Sequence, residues 1–185
     1  MGTFKDQHTE FRLCHLGGAV YLLIEGVLWL TAAILGALNL VPAAMLLLLF
    51  GGMFIHPLAT VISRLMKLPS PDDSNRLPVL TTWVALTVPL GIPLIFMATS
   101  SGNENLFFPA FTILVGAHWL PFAYIYSMKS FIALAGILVL TGVIFSFVLT
   151  QSFFVCGFLA GGFHLLFAFL HFHLVGKEIS QIPDP

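Results

Sequence analysis

Hydrophobic residues fall in six long stretches along this chain, separated by short polar segments. A bilayer core about 30 Å thick requires about 20 apolar residues per helix, and each stretch is long enough to supply one. The pattern therefore predicts an all-α, polytopic membrane bundle of six transmembrane helices, with residues 1–185 forming a single domain. The predicted spans are residues 13–38, 41–66, 78–98, 106–127, 130–150 and 153–175.

The composition excludes several classes of protein. The chain is 58% hydrophobic and 8% charged, with a mean hydropathy of +1.01, whereas soluble domains carry roughly a quarter charged residues. Six helices leave only short tails and loops, so there is no room for a soluble catalytic domain. A net charge of −1 provides no basic patch for nucleic acid. The lipid bilayer is the partner that the composition predicts.

All basic residues fall on one side of the six predicted spans. They lie in the two tails and in or beside the connections after the second and fourth spans, while the other three connections (around Asn39, Gly102 and Gln151) contain no Lys or Arg. Short loops rich in Lys and Arg stay in the cytoplasm. The sequence therefore predicts cytoplasmic termini in the inner membrane of a cell. The basic residues are Lys5, Arg12, Arg64, Lys67, Arg76, Lys129 and Lys177.

Four titratable residues are predicted to lie at a similar depth inside the spans. Counted along each helix from the nearest basic residue, Glu25, His56, His118 and His164 lie roughly 16–20 Å into the membrane. An ionisable residue at that depth is costly and normally faces the bundle interior with a partner. We expect Glu25 to be the anionic partner and the three imidazoles to be titratable or ligating groups. For each histidine, a hydrogen-bonding strut between helices is the alternative.

Prolines interrupt the spans at the same depth. Each removes a backbone donor and displaces the carbonyl four residues earlier. Broken helices with freed carbonyls beside titratable side chains form binding sites in many transporters. Proline is also common in membrane helices for architectural reasons. The predicted kinks are at Pro57, Pro89, Pro93 and Pro121.

Three kinds of function are compatible with this set. The first is a small transporter or channel for an ion or small polar solute, in which Trp119 and Tyr124 shape the cavity. The second is an intramembrane metalloprotein, which includes enzymes acting on lipid-like substrates. No cofactor is assigned from sequence, although imidazole and carboxylate suit zinc or iron, and no pair of histidines at i and i+4 supports a metal. Haem would need axial histidines from two helices.

The third kind is a non-catalytic membrane partner or assembly protein. The small-residue patterns at 157–161 and 32–36 suit either a homo-oligomer or packing within the chain. No phosphate-binding loop, GxSxG or HExxH motif occurs, so the sequence favours a protein that is not an enzyme. Among these classes, transport at the Glu25 and histidine site is the expectation that we carry forward.

Two segments resemble a known family. They are residues 116–127 (GAHWLPFAYIYS) followed by Phe131, and residues 52–59 (GMFIHPLA). They are similar to segments of an uncharacterised family of small bacterial integral membrane proteins with six helices. The resemblance covers nearly the whole chain and implies the same layout of spans, but no activity. It marks His118, Pro121, Tyr124 and Tyr126, and does not include Glu25.

Overall fold

The protein folds as a helical bundle in the computed structural model, which describes residues 6–100, 102–149 and 153–181. Every regular element in these residues is a helix, which confirms the all-α prediction. Six helical stretches are long and apolar enough to cross a membrane, as the hydrophobic pattern predicted. They are Leu16–Ala37, Val41–Leu65, Leu77–Thr99, Glu104–Ile125, Ser130–Phe147 and Phe154–Ser180.

Several spans are divided into shorter helices by breaks. Tight 3-10 turns occupy Leu16–Gly18, Gly52–Phe54 and Glu104–Leu106, and further breaks lie near Leu86 and Pro121. The helices, in chain order, are α1 (Gln7–Cys14), α2 (Ala19–Ala37), α3 (Val41–Gly51), α4 (Ile55–Leu65), α5 (Leu77–Ala85), α6 (Thr87–Thr99), α7 (Phe107–Trp119), α8 (Phe122–Ile125), α9 (Ser130–Phe147) and α10 (Phe153–Ser180).

The long helix α10 holds the bundle together. It packs along α2 on one side and against α7 and α9, which also pack on each other. The second span (α3–α4) lies outside α2, and the third span (α5–α6) lies outside α7. Only 11% and 17% of the residues in these two spans are buried, against 39–50% in the other four. The four inner spans therefore form the core, and the two outer spans expose most of their apolar surface.

Glycines allow α2 and α10 to approach each other closely. A Cβ atom built on Gly161 would lie 3.0 Å from the carbonyl oxygen of Gly26, and one on Gly26 would lie 3.1 Å from that of Gly161. A Cβ on Gly157 would lie 3.1 Å from the Cβ of Ala33. The pattern at 157–161 is therefore used for packing within the chain, where small residues let two backbones meet.

A short helix that the sequence did not predict lies at the end of the bundle where the described chain begins and where α10 ends. The predicted first span began near residue 13, but α1 ends at Cys14 and a turn with left-handed backbone at Leu16, Gly17 and Gly18 separates it from α2. Asp6 caps α1 by accepting a hydrogen bond from the backbone N–H of His8, and this bond lowers the pKa of the Asp6 carboxyl group.

Polar contacts tie α1 to three other parts of this end. Arg12 donates two hydrogen bonds to the Glu178 carboxylate, at 2.6 and 3.0 Å, and a third to the Tyr126 carbonyl. Glu10 accepts hydrogen bonds from the backbone N–H of Asp72 and from the side chain of Asn75. Glu10 therefore holds the backbone of the loop after α4.

The same contacts bring most of the basic segments to one end of the bundle. Helix α1 itself carries Arg12, and it contacts the loop before Arg76, the segment before Lys129 and the end of α10. Lys5 and the connection around Gln151 also entered the prediction of cytoplasmic termini, and both lie outside the described residues. We call this end of the molecule the terminal end.

Candidate functional site

Glu25 on α2 and His164 on α10 face each other inside the bundle. The carboxylate Oε1 of Glu25 lies 3.7 Å from Nε2 of His164, and the two side chains are 10% and 0% exposed. Gly26 follows Glu25 directly, and Gly161 precedes His164 by three residues, about one helical turn. The close contact of these two glycines therefore brings the carboxyl group and the imidazole together.

Hydrogen bonds determine the protonation state of His164. Its Nδ1 lies 2.7 Å from the carbonyl oxygen of Ala160, an acceptor, so Nδ1 carries the proton and donates. Its Nε2 lies 3.0 Å from the indole nitrogen of Trp119, which can only donate, so Nε2 accepts. In this arrangement His164 is a neutral imidazole, and the lone pair on its Nε2 accepts the hydrogen bond from Trp119.

Aromatic side chains enclose the pair. The ring of Trp29 stacks on that of His164, with centroids 6.3 Å apart and an interplanar angle of 12°. The indoles of Trp29 and Trp119 both adjoin the Glu25 carboxyl group. Phe111 then covers Trp29, with centroids 5.6 Å apart. The site therefore combines one carboxyl group, one imidazole and two indole N–H donors in a dry environment.

The arrangement has one clear chemical property. If a proton bound to Nε2 of His164, that N–H would point at the N–H of Trp119, and two donors cannot share a hydrogen bond. The imidazolium would instead turn its proton toward the Glu25 carboxylate nearby. Proton binding at His164 must therefore displace the Trp119 side chain, which belongs to another span, whereas the Glu25 carboxylate can take a proton without breaking that bond.

His118 lies apart from this pair. Its Nδ1 is 3.1 Å from the carbonyl oxygen of Val84 and 3.1 Å from the hydroxyl oxygen of Thr87. These two residues flank the break between α5 and α6, where Pro89 occupies the first turn of α6. His118 therefore joins the third and fourth spans by bonding to backbone at a helix break.

His56 and Tyr124 also lie apart from the pair. The hydroxyl group of Tyr21 on α2 is 3.2 Å from Nδ1 of His56 on α4, and the two rings stack. Tyr124 is 67% exposed and contacts His8 at the terminal end, where it lines a surface recess of about 280 Å³. Of the six predicted site residues, the structure thus brings together Glu25, His164 and Trp119.

Three of the four predicted proline kinks lie at helix breaks, and the fourth lies inside a helix. Pro57 is in the first turn of α4, after the 3-10 turn Gly52–Phe54. Pro89 is in the first turn of α6, and Pro93 is inside that helix. Pro121 separates α7 from α8, and the carbonyl of Ala117 there accepts a 3.3 Å hydrogen bond from the Leu120 N–H.

Two residues of the buried polar network were not among the predicted site residues. Trp29 lies one turn after Glu25 on the same face of α2, so the spacing of four residues was the available signal. His171 is fully buried, and its Nδ1 donates to the carbonyl of Gly17 at 2.8 Å while its Nε2 accepts from Ser130 at 2.7 Å. His171 lies four residues before the predicted end of the last span, where a histidine at the membrane interface is ordinary, so its position carried no signal of burial.

The histidines and Glu25 do not form a metal centre in the described part of the chain. No three or more His, Cys, Asp or Glu residues there lie close enough together to hold a metal ion. Only Glu25 and His164, two of the four predicted ligands, are neighbours. Zinc sites in proteins use three or four side-chain ligands, so the geometry gives the zinc or iron interpretation no support.

Comparison with known proteins identifies a family without assigning an activity. No curated protein and no solved structure matches this chain. One family model does match, over residues 4–173, which include Glu25, His164 and all but the end of α10. This match confirms that the chain resembles a family of unknown function. The chain belongs to the family of unknown function DUF7010.

Proposed function

We propose that this protein is a small, multi-pass, transporter- or channel-like protein of the cytoplasmic membrane that binds a proton at Glu25 and His164. One observation carries the proposal: a carboxyl group and a neutral imidazole lie 3.7 Å apart in the interior. Ionisable residues inside a membrane mark ion or proton pathways by default. The clustering of basic segments around α1 supports an orientation with the terminal end in the cytoplasm.

The hydrogen bonds favour a proton over a larger cation. The two indole N–H groups beside Glu25 are donors, and a metal or ammonium ion needs acceptors. The lone pair of His164 and the carboxylate of Glu25 can each take one proton. Because a proton on His164 breaks the bond from Trp119, proton binding at His164 in the sixth span is linked to movement of Trp119 in the fourth span.

Infrared difference spectroscopy between acid and alkaline pH tests whether Glu25 titrates. We expect a carboxyl band that disappears in Glu25→Gln, returns shifted in Glu25→Asp, and persists in the matched control Glu104→Gln, whose exposed side chain lies outside the bundle core. In liposomes that contain a pH-sensitive dye, an acid pulse should cause proton uptake that Glu25→Gln abolishes. A folded Glu25→Gln variant that keeps both the band and the uptake would contradict the proposal.

A structural role is the second candidate, and a specific observation favours it. The intramembrane histidines each join different helices: His56 bonds Tyr21, His118 bonds the third span, and His171 bonds Gly17 and Ser130. Such bonds are worth about 0.6–2 kcal/mol each. If Glu25→Gln and His164→Gln both lose folded protein while Glu104→Gln does not, the pair is a strut within an assembly protein.

A further inference from the structure

We infer that a recess at the terminal end binds the headgroup phosphate of an anionic phospholipid, while an acyl chain of the same lipid lies along α9. The inference goes beyond the proposed function, because it concerns another part of the molecule and does not depend on proton binding at Glu25. The recess has a volume of about 280 Å³, and we call it the Lys129 recess. It is lined by His8, Ala123, Tyr124, Ser127, Lys129 and Ile132.

The Lys129 recess lies at the depth where lipid headgroups meet the protein. Residues 126–129 join the fourth span, which ends at Ile125, to α9, which begins at Ser130. The recess is therefore at the rim of the apolar spans, where the hydrocarbon of one leaflet gives way to its headgroups. In the orientation proposed above this is the cytoplasmic leaflet, which carries anionic lipids.

A tight turn and α1 together build the recess. Ser127 has a left-handed backbone with φ 52°, and its N–H donates to the carbonyl of Tyr124 at 3.0 Å. This turn ends α8 and places Tyr124, Ser127 and Lys129 around one space. Helix α1 supplies His8, whose ring packs edge-on against that of Tyr124 with centroids 4.7 Å apart.

The lining offers hydrogen-bond donors and a positive charge to a phosphate group. The ammonium group of Lys129 and the hydroxyl groups of Ser127 and Tyr124 can all donate to phosphate oxygens. Nδ1 of His8 donates to the carbonyl oxygen of Ile125 at 3.2 Å, so Nε2 is the ring atom that remains for a ligand. Among the residues that the structure describes, no Asp or Glu lines the recess. The chemistry therefore suits an anion.

Carboxylates elsewhere at the terminal end leave the charge of Lys129 in place. Within residues 6–100, 102–149 and 153–181, Lys129 has no ion-pair partner. Glu178 is paired with Arg12. Asp6 caps α1 and interacts with His8, so it offsets positive charge at His8 and not at Lys129. Lys129 is therefore the residue that would provide most of the attraction for a phosphate.

An exposed apolar strip of α9 continues from the recess. Ile132 lines the recess and is 53% exposed, and Leu140 is 63% exposed. Gly136 lies midway between them, and a Cβ atom built on it would meet nothing within 4 Å. Residues four positions apart lie on the same helix face. The three residues therefore form a shallow apolar groove that runs from the recess along the span.

The size of the recess and the groove together favour a lipid as the occupant. Pockets that enclose a whole small ligand have volumes of about 300–1,000 Å³, so the Lys129 recess suits a headgroup with the rest of the lipid outside it. A soluble phosphate would use only the polar lining. An anionic phospholipid joins a phosphate to an acyl chain, and it matches both the recess and the groove.

The test measures binding of phosphatidylglycerol to the purified full chain in mild detergent by native mass spectrometry. We compare wild type with Lys129→Gln, which removes the charge, and with Lys129→Arg, which keeps it. The matched control is Lys177→Gln, which removes the same charge from an exposed position near the end of α10. We expect Lys129→Gln to weaken the tightest site by about tenfold, because a hydrogen bond to a charged group is lost, and the other two variants to change it little.

The binding data distinguish a site from general attraction to the basic end. A loss confined to Lys129→Gln, with weaker binding of phosphatidylcholine to wild type, supports the inference. Equal losses in Lys129→Gln and Lys177→Gln overturn it, because the attraction would then belong to the whole end. Equal binding of the two lipids to wild type also overturns it. Lys129 is exposed, and a far-ultraviolet spectrum shows that each variant is folded.

A second measurement distinguishes a lipid from a soluble phosphate. Protein in nanodiscs is treated with an amine-reactive reagent, and modification of Lys129 and Lys177 is read by peptide mass spectrometry. Nanodiscs of phosphatidylglycerol should protect Lys129 more than Lys177, relative to nanodiscs of phosphatidylcholine. Inorganic phosphate that protects Lys129 equally well in phosphatidylcholine would overturn the lipid as the occupant. Equal protection of the two lysines by phosphatidylglycerol would overturn the recess as a site.

Discussion

Replacing Gly161 with alanine tests whether the glycine contact between α2 and α10 builds the Glu25–His164 site. The added methyl group would lie 2.8 Å from Cγ of Leu30 and 3.0 Å from the carbonyl oxygen of Gly26. Leu30 can change rotamer, but the carbonyl belongs to the backbone of α2, so the two helices must separate. Overpacking of this kind costs about 1–3 kcal/mol of folding free energy.

The neighbouring Gly162 provides a matched control. A methyl group built on Gly162 meets nothing within 4 Å, and both residues lie inside α10. Alanine has a higher helix propensity than glycine by about 1 kcal/mol, and this gain is shared by the two variants. The difference in stability between Gly161→Ala and Gly162→Ala should therefore report the clash alone, at about 1–3 kcal/mol.

The assay is reversible unfolding by a denaturing detergent in mild micelles, followed by tryptophan fluorescence. Gly161→Ala should unfold at a lower fraction of denaturing detergent than wild type, and Gly162→Ala at an equal or higher fraction. Because the clash pushes α2 away from α10, the carboxyl band of Glu25 should also shift in Gly161→Ala and stay unchanged in Gly162→Ala. Equal stabilities and equal bands in the two variants would refute the reasoning.

The remaining predictions concern the terminal end. Arg12→Ala should destabilise the fold by about 1–2 kcal/mol, because it removes both the ion pair with Glu178, which is 37% exposed and therefore partly screened, and the bond to the Tyr126 carbonyl. The control Arg64→Ala, on the exposed face of α4, should change stability little. Equal losses of stability in the two variants would contradict this prediction. Burial raises the pKa of the Cys14 thiol from 9.0 to about 11, so in a Cys156→Ala background it should react with a maleimide at pH 8 only after denaturation. Since the folded pKa is the higher one, the stability that the protonated Cys14 contributes is present below about pH 9 and lost between about pH 9 and 11; a flat stability profile in that range, or one that Cys14→Ala leaves unchanged, would contradict the assignment.

The spans could be predicted because each depends on local composition. Twenty apolar residues in a row have few alternatives to a membrane helix, and the observed stretches begin and end close to the predicted ones. Helix α1 was missed because Gln7–Cys14 is short and mostly polar, and its stability comes from partners distant in sequence. Arg12 and Glu178, for instance, are separated by 166 positions.

The depth of each titratable residue could be counted along its helix, but its lateral neighbours could not. Glu25 and His164 meet, whereas His56 and His118 turn to Tyr21 and to the third span. Which of these contacts forms depends on which helices pack together and on the rotation of each helix. Neither quantity follows from a count of residues to the membrane surface.

Small residues beside the titratable ones held the missing information. Inside a membrane, hydrophobic burial does not decide which helices pair, and small residues that permit close backbone contact do. Gly26 adjoins Glu25, and Gly161 lies one turn before His164, so pairing the two glycines places the carboxyl group and the imidazole on facing sides. His118 also follows a glycine, Gly116, but a Cβ there would meet Val139 on α9, and the imidazole, two residues farther along the helix, points to another neighbour. A glycine therefore indicates the partner of a titratable residue when the two lie one or three positions apart, because both can then border the same neighbouring helix, and not when they lie two positions apart, on nearly opposite sides of their own helix.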